Sequence, residues 1–402
     1  MTTRTSTILC AAAAMSAATA AGAANLKPID PPALRAAVEA VAAELLVPGA
    51  MVLLRTPEGD FAYGYGSTEL GGATAPTGDT RFRIASNTKT MTAAVTVLLA
   101  QEGKLRLDDP VSKHVEGVPD GDAITIADLL MMRSGLPEIT DAPAFLAVLD
   151  SDPGRVWTPE ELLAIAFERP MLFAPGSEFD YCNTNYITLG LIIEKLEEAP
   201  LAQVFQDRLF GPLGMKDTLL PAPASTAIPE PYAHGYLYGS SSVAMTDAPY
   251  PADLQAAARA GSLEPNDYTN QNPSYASSAG GAISTADDLA VWIRALVGGD
   301  VLDAGFQRQW LDSLVAEDPR APDGQQYGYG ISEIAFGPNR VYFHGGEMPG
   351  YNSFIGHDPV NDVTLVVWSN LTLSLDGQHT ANSIMTRVLD EIYTHSPLHP
   401  DR

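Results

Sequence analysis

The chain has 402 residues, 46% of them hydrophobic, and carries a formal charge of −26 at pH 7. That balance excludes nucleic acid as a partner, because such binding is driven by Lys and Arg displacing counterions. It also opposes docking on anionic lipid, and no segment approaches the ~18 uninterrupted apolar residues of a membrane span, so no stable membrane insertion is expected.

Residues 1–24 read as a cleaved signal peptide. Arg4 is the only charge before a long stretch of small and apolar residues, and Ala21-Gly22-Ala23 supplies a small-x-small cleavage pattern. The expected location is therefore periplasmic or secreted. Cys10 follows Leu9, whereas a lipid anchor needs a small residue there. Cleavage leaves Cys182 as the one cysteine, so no intramolecular disulfide is expected.

Residues 31–46 have the pattern of an amphipathic helix started by prolines. Residues 51–56 and 60–66 read as a hairpin turning at Pro57-Glu58-Gly59. Helical signals follow at 86–102, 125–132, 159–168, 185–198, 201–210 and 285–297. Between them, 220–275 is rich in Pro, Ala, Ser and Asn and is expected to form long loops. Strands return at 327–334, 340–346, 351–358 and 362–370, and a closing helix lies near 379–394. This order predicts an α+β fold: an antiparallel β-sheet flanked by N- and C-terminal helices, packed against an inserted, mostly helical domain. The expected boundaries are 25–85 and 300–402 for the sheet domain and 86–299 for the helical domain with its long loops.

No G-x-S-x-G elbow, H-E-x-x-H motif or Walker-type loop is present, and the histidines do not cluster at metal-ligand spacing. Neither metal nor organic cofactor is expected. The strongest remaining pair is Ser86 and Lys89. Three apart on a helix, their side chains share a face about 5–6 Å apart at Cβ. A serine needs a base beside it, and a lysine serves as one when desolvation or a nearby cation lowers its pKa. The helix N-terminus adds partial positive charge for a developing oxyanion. A helix cap with a solvated lysine would carry the same sequence.

Two further stretches supply the other groups. Tyr181-Cys182-Asn183 stands in a turn before an apolar helix and presents a phenol and an amide. The similar Tyr268-Thr269-Asn270 lacks the surrounding Pro175-Gly176, Phe179, Asn185 and Tyr186. His344-Gly345-Gly346 is expected to end a strand, with paired glycines allowing close approach of a ligand to the backbone.

Together these motifs resemble the serine penicillin-recognising S-x-x-K hydrolases, most closely the D-alanyl-D-alanine carboxypeptidases related to class C β-lactamases. TIADLLMMRSGLP (125–137), SSAGGAISTADDLAVW (277–292) and YGYGI (327–331) extend the likeness across residues 31–395. The resemblance implies a β-lactamase/transpeptidase-like fold and an acyl-enzyme on Ser86. It assigns general base and acid duty to Lys89 and Tyr181 jointly, substrate-amide orientation to Asn183, and a position beside the tyrosine to His344. The N–H groups of Ser86 and Glu347 would form the oxyanion hole around Gly345 and Gly346, and Tyr275 would wall the cleft.

Departures from the pattern bear on the substrate. The carboxypeptidases bind a terminal carboxylate through hydroxyls flanking the second glycine and an arginine on the preceding strand. Here Gly345, Glu347 and Ser332 hold those positions. A Glu347 carboxylate aimed into the site would repel such a substrate by about 4 kcal/mol at 4 Å and an effective dielectric of 20. Cys182 replaces a commoner serine and reads as a packed small residue.

The expected activity is an exported serine hydrolase acting on D-Ala-D-Ala-like wall peptides, a peptide or small-molecule substrate being its only required partner. The alternatives are an esterase or D-aminopeptidase of the same family, then a β-lactamase, and in another class a catalytically silent wall-peptide binder. The oligomeric state is left open.

Overall fold

In the computed structural model, residues 25–245 and 249–395 are described; the expected signal peptide, 1–24, lies outside them. Asp30 accepts a hydrogen bond from the Ala33 N–H at 3.2 Å, and Pro31-Pro32 then start α1 (Pro31–Glu44). β1 (Gly49–Thr56) and β2 (Gly59–Gly66) form the anticipated hairpin. The late strands are β3 (Val315–Ala316), β4 (Gln326–Tyr327), β5 (Ser332–Phe336), β6 (Asn339–Met348), β7 (Tyr351–Asp358) and β8 (Val363–Ser369).

All eight strands belong to one antiparallel sheet in the order β2-β1-β8-β7-β6-β5-β4-β3. The first hairpin thus pairs with the last strand, Val52 standing opposite Val367 and Leu53 opposite Val366. The expected α+β class and the single sheet joining both ends of the chain are what the structure has.

Alternation along the strands assigns each sheet face its own core. Ala50, Val52, Leu54, Phe354, Leu365 and Val367 pack with Leu34 and Val38 of α1 and Ile384 and Val388 of the closing helix. Met51, Leu53, Ile355, Val366 and Trp368 turn the other way, into a larger cluster shared with the helical segment. Central strands β7 and β8 are buried on both faces; β8 accordingly carries an apolar run, whereas β7 also buries Asn352, Ser353, His357 and Asp358.

In that larger layer, α2 (Thr88–Gln101) packs on α3 (Asn183–Glu197), and α4 (Ala286–Gly298) lies across β1, β7 and β8. The closing helix is α5 (Thr380–Ile392). Two parts of the sequence reading need correction. The 220–275 stretch is not only loop: it holds a helix at Ala252–Arg259 and a two-stranded ladder pairing Tyr236–Leu237 with Asn266–Asp267. Helices at Pro143–Ser151 and Ala304–Leu311 were also not anticipated. These are short helices of eight or nine residues, too few turns for a 3.6-residue period to stand out.

The segment leading to Ser86 is pinned by stacking. Phe82 lies against Trp368 of β8 with ring centroids 4.8 Å apart, and both are fully buried. Trp368→Ala is expected to cost ~3–5 kcal/mol of stability. Chemical denaturation measures this, and a loss under ~1 kcal/mol would contradict the packing role assigned to the stack.

Candidate active site

Ser86 lies in a 3₁₀ turn, Ala85–Asn87, that runs directly into α2. It caps nothing: Asn87 is the N-cap residue of α2, without a side-chain cap bond, so the capped-helix reading does not hold. Ala85 has φ 49°, a left-handed conformation costly for a residue with a Cβ, and Ser86 follows this bend. The Thr88 and Thr90 hydroxyls donate back to the carbonyls of Ala85 and Asn87, at 2.8 and 2.7 Å, and fasten the turn.

Lys89 lies one helical turn on and has no exposed surface. Its Nζ lies 3.0 Å from Ser86 Oγ, 2.6 Å from Asn183 Oδ1 and 2.8 Å from the carbonyl of Ala279. Ala279 comes from the SSAGG stretch, and its backbone oxygen explains the presence of that segment beside the lysine. Burial lowers the Lys89 pKa to about 7, against the opposing pull of Glu138 and then Cys182. A sizeable neutral fraction therefore exists at neutral pH.

The neutral amine is well aimed. The carbonyls of Asn183 and Ala279 can only accept, so each takes one of its two N–H bonds. The position left for the lone pair faces Ser86 Oγ. That geometry suits Lys89 to the part of base, a division of labour that the motifs alone left open.

Tyr181 sits with its ring centroid 4.8 Å from Lys89 Nζ and 38% of its surface open to the cleft. Burial raises the phenol pKa well above its usual value, while the Ser86 hydroxyl pulls it the other way by hydrogen bonding. The open ring face lets solvent temper that push, but the phenol remains protonated at neutral pH. It suits a proton donor better than a base.

Asn183 lines the cleft but is also engaged within the protein. Its amide oxygen is held by Lys89, and its Nδ2 donates to Glu138 Oε1 at 2.9 Å, so much of its hydrogen-bonding capacity is spent inside the protein. Cys182 is buried, and its Sγ donates to the Leu136 carbonyl at 3.4 Å, as a packed small residue would.

His344, Gly345 and Gly346 lie inside β6 rather than at its end. The strand continues to Met348 because Met348 pairs with Tyr351 across the two-residue turn Pro349-Gly350. Such a closing pair exchanges ladder hydrogen bonds, so Glu347, next in the alternation, turns its N–H away from β7. β5 pairs with β6 only as far as Phe343, which leaves the outer edge of 344–348 to the Ser86 turn. The Glu347 N–H thus has the direction an oxyanion donor requires.

Gly346 permits this approach. A Cβ there would stand 2.2 Å from the Ile84 carbonyl oxygen and 2.5 Å from Ser353 Oγ. At Gly345 a Cβ would meet only the Ser353 carbonyl, at 3.8 Å. The first glycine is therefore open space, and the second is a steric necessity.

His344 is buried and neutral, burial and the nearby Lys89 lowering its pKa to about 3. Its Nδ1 lies 2.6 Å from the Gly345 carbonyl, an acceptor only, so Nδ1 carries the proton and Nε2 accepts from the Tyr327 hydroxyl at 3.1 Å. The ring lies beside Tyr181, centroids 6.2 Å apart, yet its hydrogen bonds go elsewhere. It orients Tyr327 and fills the wall behind the tyrosine.

A cleft of about 430 Å³ opens over Ser86 and brings together Tyr181, Asn183, His344, Gly345, Gly346, Glu347 and Tyr275. Every site residue named from the sequence faces it except Lys89, which lies beneath. Glu347 does not stand as a bare anion, because His379 Nδ1 pairs with its Oε2. The 4 kcal/mol repulsion estimated for a lone carboxylate does not apply in full. Sequence reasoning missed Glu138, Tyr327 and Glu317. Glu138 follows immediately after the SGLP run, and Tyr327 opens the YGYGI stretch, so both adjoin recognised segments. Glu317 had no signal, being brought in by a hairpin edge.

The β-lactamase family model matches residues 34–387. The chain belongs to the β-lactamase family. Among solved structures in the same fold, it is similar to a D-stereospecific amidohydrolase from Streptomyces sp. (29% identity, TM-score 0.76, covering 89% of this chain and 98% of that one). It is also similar to the D-amino acid amidase from Ochrobactrum anthropi SV3 complexed with D-phenylalanine (27% identity, TM-score 0.72, again 89% and 98%). A curated relative is the unguisins hydrolase ungD' of Aspergillus campestris, 28% identical over 83% of this chain and 60% of that protein. Against the curated relatives it matches, the chain spans about half of their length. The placement of Ser86, Lys89 and Tyr181 accords with the serine-hydrolase chemistry that the family resemblance implies.

Two outcomes follow from the geometry. If neutral Lys89 is the base, kcat/KM rises with pH through about 7 and then levels off. A pH–rate profile checks this, and an acid limb centred near 4 or 10 would remove Lys89 as the base. Gly346→Ala should slow acylation about 100-fold, as expected when one oxyanion donor is displaced. An unchanged burst with an activated ester would show that β6 need not touch the Ser86 turn.

Proposed function

We propose that the protein is an exported amidohydrolase that acylates Ser86 with D-configured amides or peptides bearing a free ammonium group. The observation that carries this reading is the charge of the cleft. Among the described residues its lining includes Glu317 and Glu347, the latter paired with His379, but no lysine or arginine. Burial raises the Glu317 pKa, and its carboxylate accepts from Gln325 Nε2 at 2.7 Å. An ammonium-bearing substrate gains from the Glu317 carboxylate, whereas a terminal carboxylate meets no lysine or arginine among the described lining residues.

The carboxypeptidase reading loses support for the same reason. Ser332 is buried in the sheet where an arginine was anticipated, and Gly345 offers no hydroxyl. The similarity to D-amino acid amidases supports the amide reading, and Phe179, Ile139, Met245 and Tyr275 give the cleft an apolar wall for a side chain.

In the reaction, neutral Lys89 takes the Ser86 proton as Oγ attacks the amide carbon, and the oxyanion rests on the N–H groups of Ser86 and Glu347. Tyr181 gives its proton to the leaving nitrogen and is reprotonated from Lys89. The C–N bond breaks, leaving an ester on Ser86 that water hydrolyses through the same groups in reverse order.

A substrate panel on the purified protein tests the assignment. D-phenylalanine amide should exceed its N-acetyl derivative and the L-enantiomer by at least ~10-fold in kcat/KM, about 1.4 kcal/mol in transition-state stabilisation. Preference for acetyl-D-Ala-D-Ala would restore the carboxypeptidase, and a dominant p-nitrophenyl ester activity would favour an esterase. Absence of a fluorophosphonate adduct, or an adduct that survives Ser86→Ala, would sink the acyl-enzyme reading.

A further inference from the structure

We propose that Glu138 is a positioning residue for the general base, fixing the Asn183 amide so that the Lys89 lone pair points at Ser86. The inference rests on the reading of Ser86 as nucleophile and Lys89 as base.

Glu138 is buried at 7% exposure, and no lysine, arginine or histidine pairs with its carboxylate among the described residues. Its oxygens are instead filled by short-range donors. Oε1 accepts from the Thr140 N–H at 2.9 Å, the Thr140 hydroxyl at 2.8 Å and Asn183 Nδ2 at 2.9 Å, while Oε2 accepts from the Asn183 backbone N–H. The carboxylate therefore grips Asn183 twice, through main chain and side chain, at the first residue of α3.

That grip has a directional consequence. An amide presents an acceptor on one side and donors on the other, and the two are close in shape. Against a carboxylate, only the NH₂ end is tolerated, so the oxygen must face Lys89. A flipped amide would place N–H groups against Nζ. The lone pair of the neutral amine would then be drawn to them instead of to Ser86 Oγ. Ala279 alone could not prevent this, because one carbonyl leaves two orientations for the remaining hydrogen and lone pair.

The other groups around Nζ do not supply this control. Tyr181 and Tyr186 offer ring faces at 4.8 and 5.7 Å, Cys182 is a buried thiol, and His344 is neutral. Ala279 contributes only its carbonyl. Glu138 is also the largest influence raising the Lys89 pKa against burial, so it sets charge as well as direction.

Glu138→Gln tests this with the full-length mature protein. Its amide would turn donors toward the Asn183 or Thr140 donors. Acylation by a fluorophosphonate and kcat on a p-nitrophenyl ester should fall more than ~10-fold, part of the ~10²–10⁴ a general base contributes, with KM nearly unchanged. Removing a negative charge beside Lys89 lowers its pKa, so the acid limb should move to lower pH. A merely structural role would scale the rate without moving the limb.

Glu138→Asp keeps the charge but draws it back from Asn183. Its kcat should fall with the acid limb in place, and it decides the matter if the Gln variant does not fold. Wild-type rates in either folded variant overturn the proposal, as does a loss confined to KM for substrates with a free ammonium, which would make Glu138 a substrate contact. If the unaltered protein takes no fluorophosphonate, the acyl-enzyme reading itself fails. Labelled wild type with equally labelled Glu138→Gln removes only the role of Glu138.

Discussion

Everything in this molecule that serves chemistry converges on one buried amine. Lys89 has no exposed surface, and taking an ammonium out of water costs several kcal/mol unless its donors are matched. Three oxygens match them, from Ser86, Asn183 and Ala279, and each belongs to a different segment. The 3₁₀ turn, α3 and the SSAGG stretch must all be in place before the lysine can be buried. The same desolvation that costs folding energy lowers the pKa to about 7 and leaves a neutral amine able to accept a proton. Stability and catalysis are thus opposed in this one residue, and the well-packed cores on both sheet faces offset the cost.

The sheet meets this requirement from the other side. β6 must press against the Ser86 turn closely enough for its N–H groups to face a reacting carbonyl, and only a glycine at 346 allows the contact. Phe82 stacked on Trp368 fixes the segment before the turn to the middle of the sheet. The nucleophile is therefore referenced to two rigid bodies, β8 through stacking and β6 through backbone contact. Positional precision of this kind is what an acyl-transfer site needs, since small displacements of reacting groups are costly.

Much of the architecture was legible in advance. The hairpin of 51–56 and 60–66, the strands at 340–346, 351–358 and 362–370, and the proline-led first helix all appear near their expected limits, whereas the strand expected at 327–334 is divided into β4 and β5. What failed did so for physical reasons. Helices of eight or nine residues carry too little periodicity, and a coil-like composition at 220–275 conceals a helix and a ladder held by contacts to distant segments. His344 was expected at a strand end because paired glycines weaken a strand. In fact the Met348–Tyr351 closing pair carries the strand past them.

At the site, sequence by itself determined which residue types take part: a serine and lysine three apart, a tyrosine before a helix, and a histidine followed by two glycines. Those are local patterns, and local spacing is enough to put Ser86 and Lys89 on one helix face. It could not decide roles. That Lys89 is better placed than Tyr181 to act as base follows from which acceptors surround Nζ. That Asn183 faces inward follows from Glu138, forty-five residues away in the chain. Glu317 reaches the cleft because the edge of the sheet delivers it. Direction of hydrogen bonds, desolvation and charge environment are properties of neighbours in space. Only the folded chain chooses those neighbours.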